Sequence, residues 1–173
     1  MKLMVMGHGR HGKDTVCEIL RDNYGFTFQS SSFAVAQYAI YPILKQLIGY
    51  DTLEECYNDR HNHRSLWFEL IKAFNHRDKS LLSRLIFQDC DIYCGIRNVE
   101  ELNAARKANL FDYAIWVTRS QVTPEETTNS CTVTIRDADY VLDNNGTVEE
   151  LQVEIDRMVG RLRARKELDK FEV

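Results

Sequence analysis

A short apolar run, Leu3 to Met6, stops at a glycine and gives way to a helical pattern near Lys13. Between them lies Gly7-His8-Gly9-Arg10-His11-Gly12-Lys13-Asp14. Three glycines so close together let a backbone fold back on itself and turn its N–H groups inward. The helix that follows adds the positive end of its dipole to the same concavity. A strand, a glycine loop and a helix in that order constrain the chain more than any other feature of its sequence. They demand a sheet with a helix packed against it.

The spacing is that of the phosphate-binding loop, Gly, four residues, then Gly-Lys-Ser/Thr, at every position except the last, where Asp14 stands. Gly7, Gly9 and Gly12 would cradle phosphate oxygens, and Lys13 would reach the terminal phosphates as a compact charge. A Ser or Thr hydroxyl at position 14 usually ligates magnesium. Asp14 offers a carboxylate for that purpose, and Thr15 keeps a hydroxyl in the first helical turn. Asp14 also suits a helix start through its charge alone. The plain alternative is a glycine-rich turn that holds no nucleotide. His8, Arg10 and His11 are expected to face solvent or the phosphates.

Downstream, strand and helix patterns alternate. Strands are expected at Phe26–Gln29, Asp91–Cys94, Tyr113–Thr118 and Tyr140–Leu142, with Thr132–Ile135 extended. Helices are expected at Lys13–Tyr24, Ala34–Ile48 with a kink or break at Pro42, Ser65–Phe74, Ser80–Phe87, Val99–Ala108 and Val148–Arg165. A brief helical turn is expected over Thr52–Cys56. Ser65, Ser80 and Thr147 are candidate caps, and Ser30-Ser31-Ser32 a polar turn. This alternation predicts a three-layer α/β fold: a mostly parallel sheet with helices on both faces. Ligands in such sheets sit beyond the carboxyl ends of the strands. The loops after the strands, Gly7–Gly12, Ser30–Phe33, Gly95–Asn98, Arg119–Ser130 and Asp143–Gly146, are therefore where a site belongs.

Bulk properties narrow the function. With 173 residues the chain has the size of one domain, and 44% hydrophobic residues suffice for a core. The formal charge of −4 argues against a nucleic-acid or acidic-membrane binder. No apolar stretch approaches the ~20 residues of a membrane span, and Leu3–Met6 is too short for a signal peptide. Five irregularly spaced cysteines suggest reduced thiols and the cytoplasm. Cys90 and Cys94 make a poor zinc pair.

The altered loop end, Gly12-Lys13-Asp14-Thr15, resembles that of the deoxynucleoside monophosphate kinases typical of large bacteriophages. A similar Gly-Lys-Asp loop occurs in animal phosphomevalonate kinases. Further segments resemble the phage family in the same order along most of the chain. They are Ser32-Phe33-Ala34 with Tyr41-Pro42-Ile43-Leu44-Lys45, Ile96 to Glu101, Trp116-Val117-Thr118-Arg119, and Ala138 to Thr147. The resemblance implies one P-loop kinase domain over 1–173, an acceptor-binding helical region over 33–88 and a small lid over 119–131. It implies ATP and Mg2+ as cofactors, small-molecule substrates (ATP and a dNMP), and transfer of the γ-phosphate to give the dNDP. A phage origin would put the protein in the host cytoplasm. Oligomeric state stays open, a homodimer included.

The resemblance also distributes roles. Arg119, leaving a strand into the lid, is the candidate for charge stabilisation during transfer, or a solvated loop cation. Arg97 is a candidate clamp on the acceptor phosphate, or a partner for Glu100 or Glu101. Ser32, Phe33 and Arg64 are candidate acceptor contacts, with Arg60 an alternative to Arg64. Phe33 leads Tyr38, Tyr41, Trp67 and Phe68 as the stacking residue. Asn144 is a candidate adenine contact, or part of a plain turn. The family often has an Asp before Arg97 that helps hold magnesium. Gly95 takes that place here, leaving Asp14, Asp89 or Asp91 as the acid. The rival readings are a P-loop kinase of another small phosphorylated acceptor and a weakly catalytic nucleotide-binding module.

Overall fold

The computed structural model describes residues 1–123 and 131–169. Among them, β1 (Leu3–Met6), β2 (Phe28–Ser30), β3 (Ile92–Cys94), β4 (Tyr113–Thr118) and β5 (Tyr140–Asp143) form one parallel sheet in the order β2-β3-β1-β4-β5. The first strand is central, so the glycine loop leaves the middle of the sheet. The order reverses direction at β1, with β3 on one side and β4 on the other. The crevice at such a reversal is where open α/β sheets bind ligands.

Alternation along the strands builds two cores. Leu3, Val5, Ile92, Cys94, Ile115 and Val117 face α1 (Lys13–Tyr24) and α8 (Val148–Asp169). Met4, Met6, Tyr93, Ala114 and Trp116 face the helices on the opposite side. These are α2 (Ser31–Val35), α3 (Tyr41–Leu47), α4 (Leu53–Asn58), α5 (Arg64–Phe74), α6 (Leu81–Asp89) and α7 (Val99–Lys107). The arginines near the end of α8 pin it down: Arg163 lies over the Tyr24 ring, Arg165 over Tyr113, and Lys166 pairs with Asp112 at 2.7 Å.

The expected bounds of α1 and β4 agree with the structure. Gly25, at φ 73°, closes α1 with its N–H on the Arg21 carbonyl. Several expectations need correction. Ser30-Ser31-Ser32 is not a turn: Ser30 caps α2 by accepting from the Phe33 N–H at 3.3 Å, and Ser31 is already helical. Pro42 neither breaks nor sharply splits the helix. A π-helical turn over Ala36–Ile40, in which the Tyr41 N–H reaches the Ala36 carbonyl, absorbs the mismatch just before the proline. Ser65 lies inside the first turn of α5, which starts at Arg64. Ser80 stands at the cap position of α6, but its hydroxyl donates to Asp78 at 2.6 Å. Thr134 caps a 3₁₀ turn, Ile135–Asp137, where an extended segment was expected.

The Thr147 cap holds, as a reciprocal pair: Glu150 N–H donates to its hydroxyl and Thr147 N–H to the Glu150 carboxylate. All five cysteines are free thiols. No described helix is long and apolar enough to cross a membrane. Of the lid expected over 119–131, residues 124–130 lie outside the described residues.

Candidate active site at the glycine loop

The loop between β1 and α1 is fixed by its own backbone needs. Gly7 has φ 145°, and a Cβ there would strike the Val117 carbonyl of β4. Gly12 has φ 86°, and a Cβ there would strike the Asn144 side-chain amide. Arg10, at φ 61°, adds a third positive-φ residue, the kind of backbone that winds a loop into a concavity. Lys13 Nζ donates across the loop to the His8 carbonyl at 2.7 Å.

A buried polar scaffold supports the loop. Asn144 follows β5; its N–H donates to the Thr118 carbonyl at 2.8 Å and its side-chain amide donates to the His11 carbonyl at 2.9 Å. That amide, expected as an adenine contact, is spent on the loop. His11 was expected to face solvent or the phosphates, yet it is only 4% exposed. Its Nδ1 accepts from the Arg119 N–H at 3.2 Å, so Nε2 carries the proton and donates to the Val122 carbonyl at 3.1 Å. The segment after β4 is held on its other side by Asn145, which accepts from Ser120 Oγ at 3.0 Å. Arg119 is thus anchored beside the loop by its backbone, and its Nε is buried with no hydrogen-bond partner among the described residues.

A cavity of about 760 Å³ opens from the loop toward α5 and α7. Gly9, Arg10, Lys13 and Asp14 line it from the loop, and Ser30, Ser31 and Ser32 from the end of β2. Gly95, Arg97, Asn98 and Glu101 line it from the segment after β3. Arg60 and α5, through Trp67, Phe68, Ile71 and Asn75, complete the wall. Arg10, Lys13, Arg60 and Arg97 bring positive charge against the acids Asp14 and Glu101. The Arg60 guanidinium lies 4.1 Å from the Tyr57 ring centre and donates to the Tyr57 carbonyl at 2.7 Å, which holds it in place. Asn98 caps α7 by accepting from Glu100 and Glu101. Burial pushes the Glu101 carboxyl above its ordinary range.

Lys13, Asp14, Ser32 and Arg97 are therefore brought together, with Gly9 of the loop. Phe33 and Arg64 are not. The Phe33 ring packs edge-on against Tyr57 at 5.4 Å, and Arg64 reaches His61 Nδ1 at 3.2 Å. Tyr41 is engaged elsewhere, donating to the Asp51 carbonyl. The aromatic lining comes from Trp67 and Phe68 instead. Sequence reasoning missed Asn75, which carries no local signal; it placed His11 toward solvent or the phosphates and weighed Glu101 only as a partner for Arg97.

Asp14 fits a magnesium ion. It is exposed in the first turn of α1, lines the cavity beside Lys13, and receives only a weak 3.5 Å contact from the Cys94 thiol. One carboxylate with a nearby hydroxyl, at Thr15, suits a metal that keeps its waters and completes its shell with phosphates. Among the described residues no group of three His, Cys, Asp or Glu could hold a metal alone. Asp89 and Asp91 stand at the amino end of β3, away from the loop, and Asp91 accepts from Thr27 N–H and Oγ at 3.0 Å. A side chain at position 95 is disfavoured by φ 92° and by Ser31 Oγ 3.2 Å from its Cβ position.

The whole fold is similar to that of a gluconokinase from Sinorhizobium meliloti 1021, at 12% identity, 97% of this chain, 96% of that one and a TM-score of 0.52. It is also similar to TT1252 from Thermus thermophilus, at 18% identity, 95% and 97% coverage and a TM-score of 0.54. No protein-family model and no curated protein matches the chain. At such identities the likeness is one of fold. That fold is a three-layer α/β architecture with a parallel sheet, as the alternation of elements predicted.

Proposed function

We propose that the chain is a P-loop kinase that transfers the γ-phosphate of ATP to a deoxynucleoside 5′-monophosphate. One observation carries the reading: the cavity that starts at the phosphate loop is lined by Arg10, Lys13, Arg60 and Arg97 and by the aromatic rings of Trp67 and Phe68. A neutral acceptor has no use for so much positive charge; a phosphate monoester does. Its volume, about 760 Å³, suits a nucleotide-sized ligand.

In this reading the loop amides and Lys13 hold the β- and γ-phosphates of the donor. Asp14 and Thr15 would hold magnesium, which would offset the charge of the phosphates. Phosphoryl transfer asks the protein mainly for alignment and positive charge. Arg97 and Arg60 grip the acceptor phosphate and bring its oxygen in line. Arg119, its backbone fixed by His11, supplies a guanidinium to the charge that spreads over the transferring group. Arg60, Trp67 and Phe68 of region 33–88 supply part of the acceptor wall.

A kinase of another small phosphorylated acceptor is the second reading. It is favoured by Phe33 and Arg64, which stay out of the cavity. The test is to incubate the protein with ATP, magnesium and, one at a time, dAMP, dGMP, dCMP, dTMP, phosphomevalonate and gluconate, and to quantify ADP and the new phosphoryl compound. A deoxynucleoside diphosphate is the expected product. Turnover of phosphomevalonate alone would favour the second reading, and turnover of gluconate alone would overturn both.

A further inference from the structure

The cavity wall contains a buried polar pair that the transfer chemistry does not use. Asn75, the residue that closes α5, is only 4% exposed. Its side-chain N–H donates to Glu101 Oε1 at 2.9 Å. Its carbonyl oxygen is buried and has no hydrogen-bond partner among the described residues. Turning the amide round would set that oxygen against the Glu101 carboxylate, so the bond to Glu101 fixes which atom is left over. An unmet acceptor at this depth is costly, and a ligand that donates to it recovers that cost.

Trp67 supplies the second leftover atom. The residue is 7% exposed, lines the same cavity, and its indole N–H has no partner among the described residues. It lies eight residues before Asn75 on α5, about 12 Å of helix rise. The residues lining the cavity therefore leave one donor and one acceptor unmet, about two helical turns apart along α5.

The geometry points to Asn75 and Glu101 as a paired-acceptor reader for the base of the phosphate acceptor, selective for a ring edge with two adjacent N–H donors. This inference rests on the nucleotide-kinase reading above and names the base within it. Among the neutral bases only guanine presents two adjacent donors, N1–H and the 2-amino group. Adenine and cytosine set one amino group beside a ring acceptor, and thymine sets its single N–H between two carbonyls. Against two protein acceptors, those bases would leave lone pairs facing lone pairs. A site built to bond a donor rejects an analogue that lacks it far better than an apolar pocket rejects a missing methylene.

Turnover of dGMP, dIMP and dTMP with ATP tests this directly, since dIMP differs from dGMP only by the missing 2-amino group. The expected kcat/KM favours dGMP over both by at least about tenfold. Glu101→Gln is expected to keep the bond from Asn75 but present an N–H where the base presents its own. It should reduce kcat/KM for dGMP by about 10–100-fold, flatten the dGMP-to-dIMP ratio and leave the KM for ATP unchanged. Equal turnover of dGMP and dIMP, or an unchanged ratio in Glu101→Gln, overturns the reader while leaving a deoxynucleotide kinase standing. Failure of all the deoxynucleotides, by turnover and by calorimetric binding, overturns the reader together with the reading beneath it.

Discussion

The two halves of the site are built on opposite principles. Around the phosphate loop a chain of hydrogen bonds holds the supporting side chains, although the buried Arg119 Nε has no partner among the described residues. Asn144 holds His11, His11 holds Arg119 and Val122, and Asn145 holds Ser120. Gly7 and Gly12 leave no room for a methyl group. In the cavity wall Phe68 is 64% exposed, and the buried atoms Trp67 Nε1 and Asn75 Oδ1 lack partners among the described residues. A phosphate loop serves one ligand shape and can be locked in advance. An acceptor pocket must change with its substrate, and the atoms it leaves unpaired are those the substrate has to satisfy.

The largest effect belongs to the locked half. Lys13→Ala should lower phosphoryl transfer by about 10³-fold or more while the protein still folds, because among the described residues its ammonium bonds only the His8 carbonyl, at 2.7 Å. ADP release and a thermal melt read the two parts of this prediction. Next comes Gly12→Ala, which drives a Cβ into Asn144 at φ 86°. It should cost about 2 kcal/mol or more in urea unfolding and weaken ATP binding with it. The same glycine-to-alanine change at Gly25, where nothing lies within 4 Å, should cost less despite its φ of 73°.

The contrast also explains what the sequence could reveal. The loop is a local object: its glycines, its lysine and the elements flanking it occupy adjacent positions, so β1, α1 and the place of Lys13 at the cavity were legible. β4 was legible for a similar reason, a six-residue apolar run buried on both faces. The cavity wall is assembled from Arg60, Trp67, Asn75, Arg97 and Glu101, which are far apart in the chain and meet only in the folded protein. Asn75 sits in the polar run Asn75-His76-Arg77-Asp78, which reads as an ordinary loop. Phe33 and Arg64 were favoured by their place in the chain, but packing turned Phe33 to Tyr57 and Arg64 to His61. His11 was expected outside because the side chains of such loops usually point outward. Here the segment after β4 folds over it.

On the open half the effects should be smaller and confined to the acceptor. Arg60→Ala should raise the KM for the phosphorylated acceptor by about tenfold, with the KM for ATP unchanged. An equal rise in both would mean that the halves are coupled more tightly than their bonding suggests.

The smallest effect is on stability. Burial raises the Glu101 carboxyl, so the folded chain binds that proton more readily than the unfolded one. Its contribution favours folding below the ordinary glutamate value of 4.5 and is lost as pH rises through the raised folded value. Glu101→Gln should therefore make the free protein slightly more stable at pH 7, by about 1 kcal/mol or less. The difference should vanish below pH 4.5, where both side chains are neutral. Urea unfolding at the two pH values measures it.

The central claim is that the phosphate loop and the cavity are one site for two nucleotides. A pentaphosphate joining adenosine and deoxyguanosine through their 5′ oxygens spans both halves, and titration calorimetry against it is the most direct measurement. The account predicts one molecule bound per chain, at least about 10²-fold tighter than ATP, and displaced by either ATP or dGMP. Binding no tighter than ATP, or indifferent to dGMP, would mean that the cavity does not hold the acceptor.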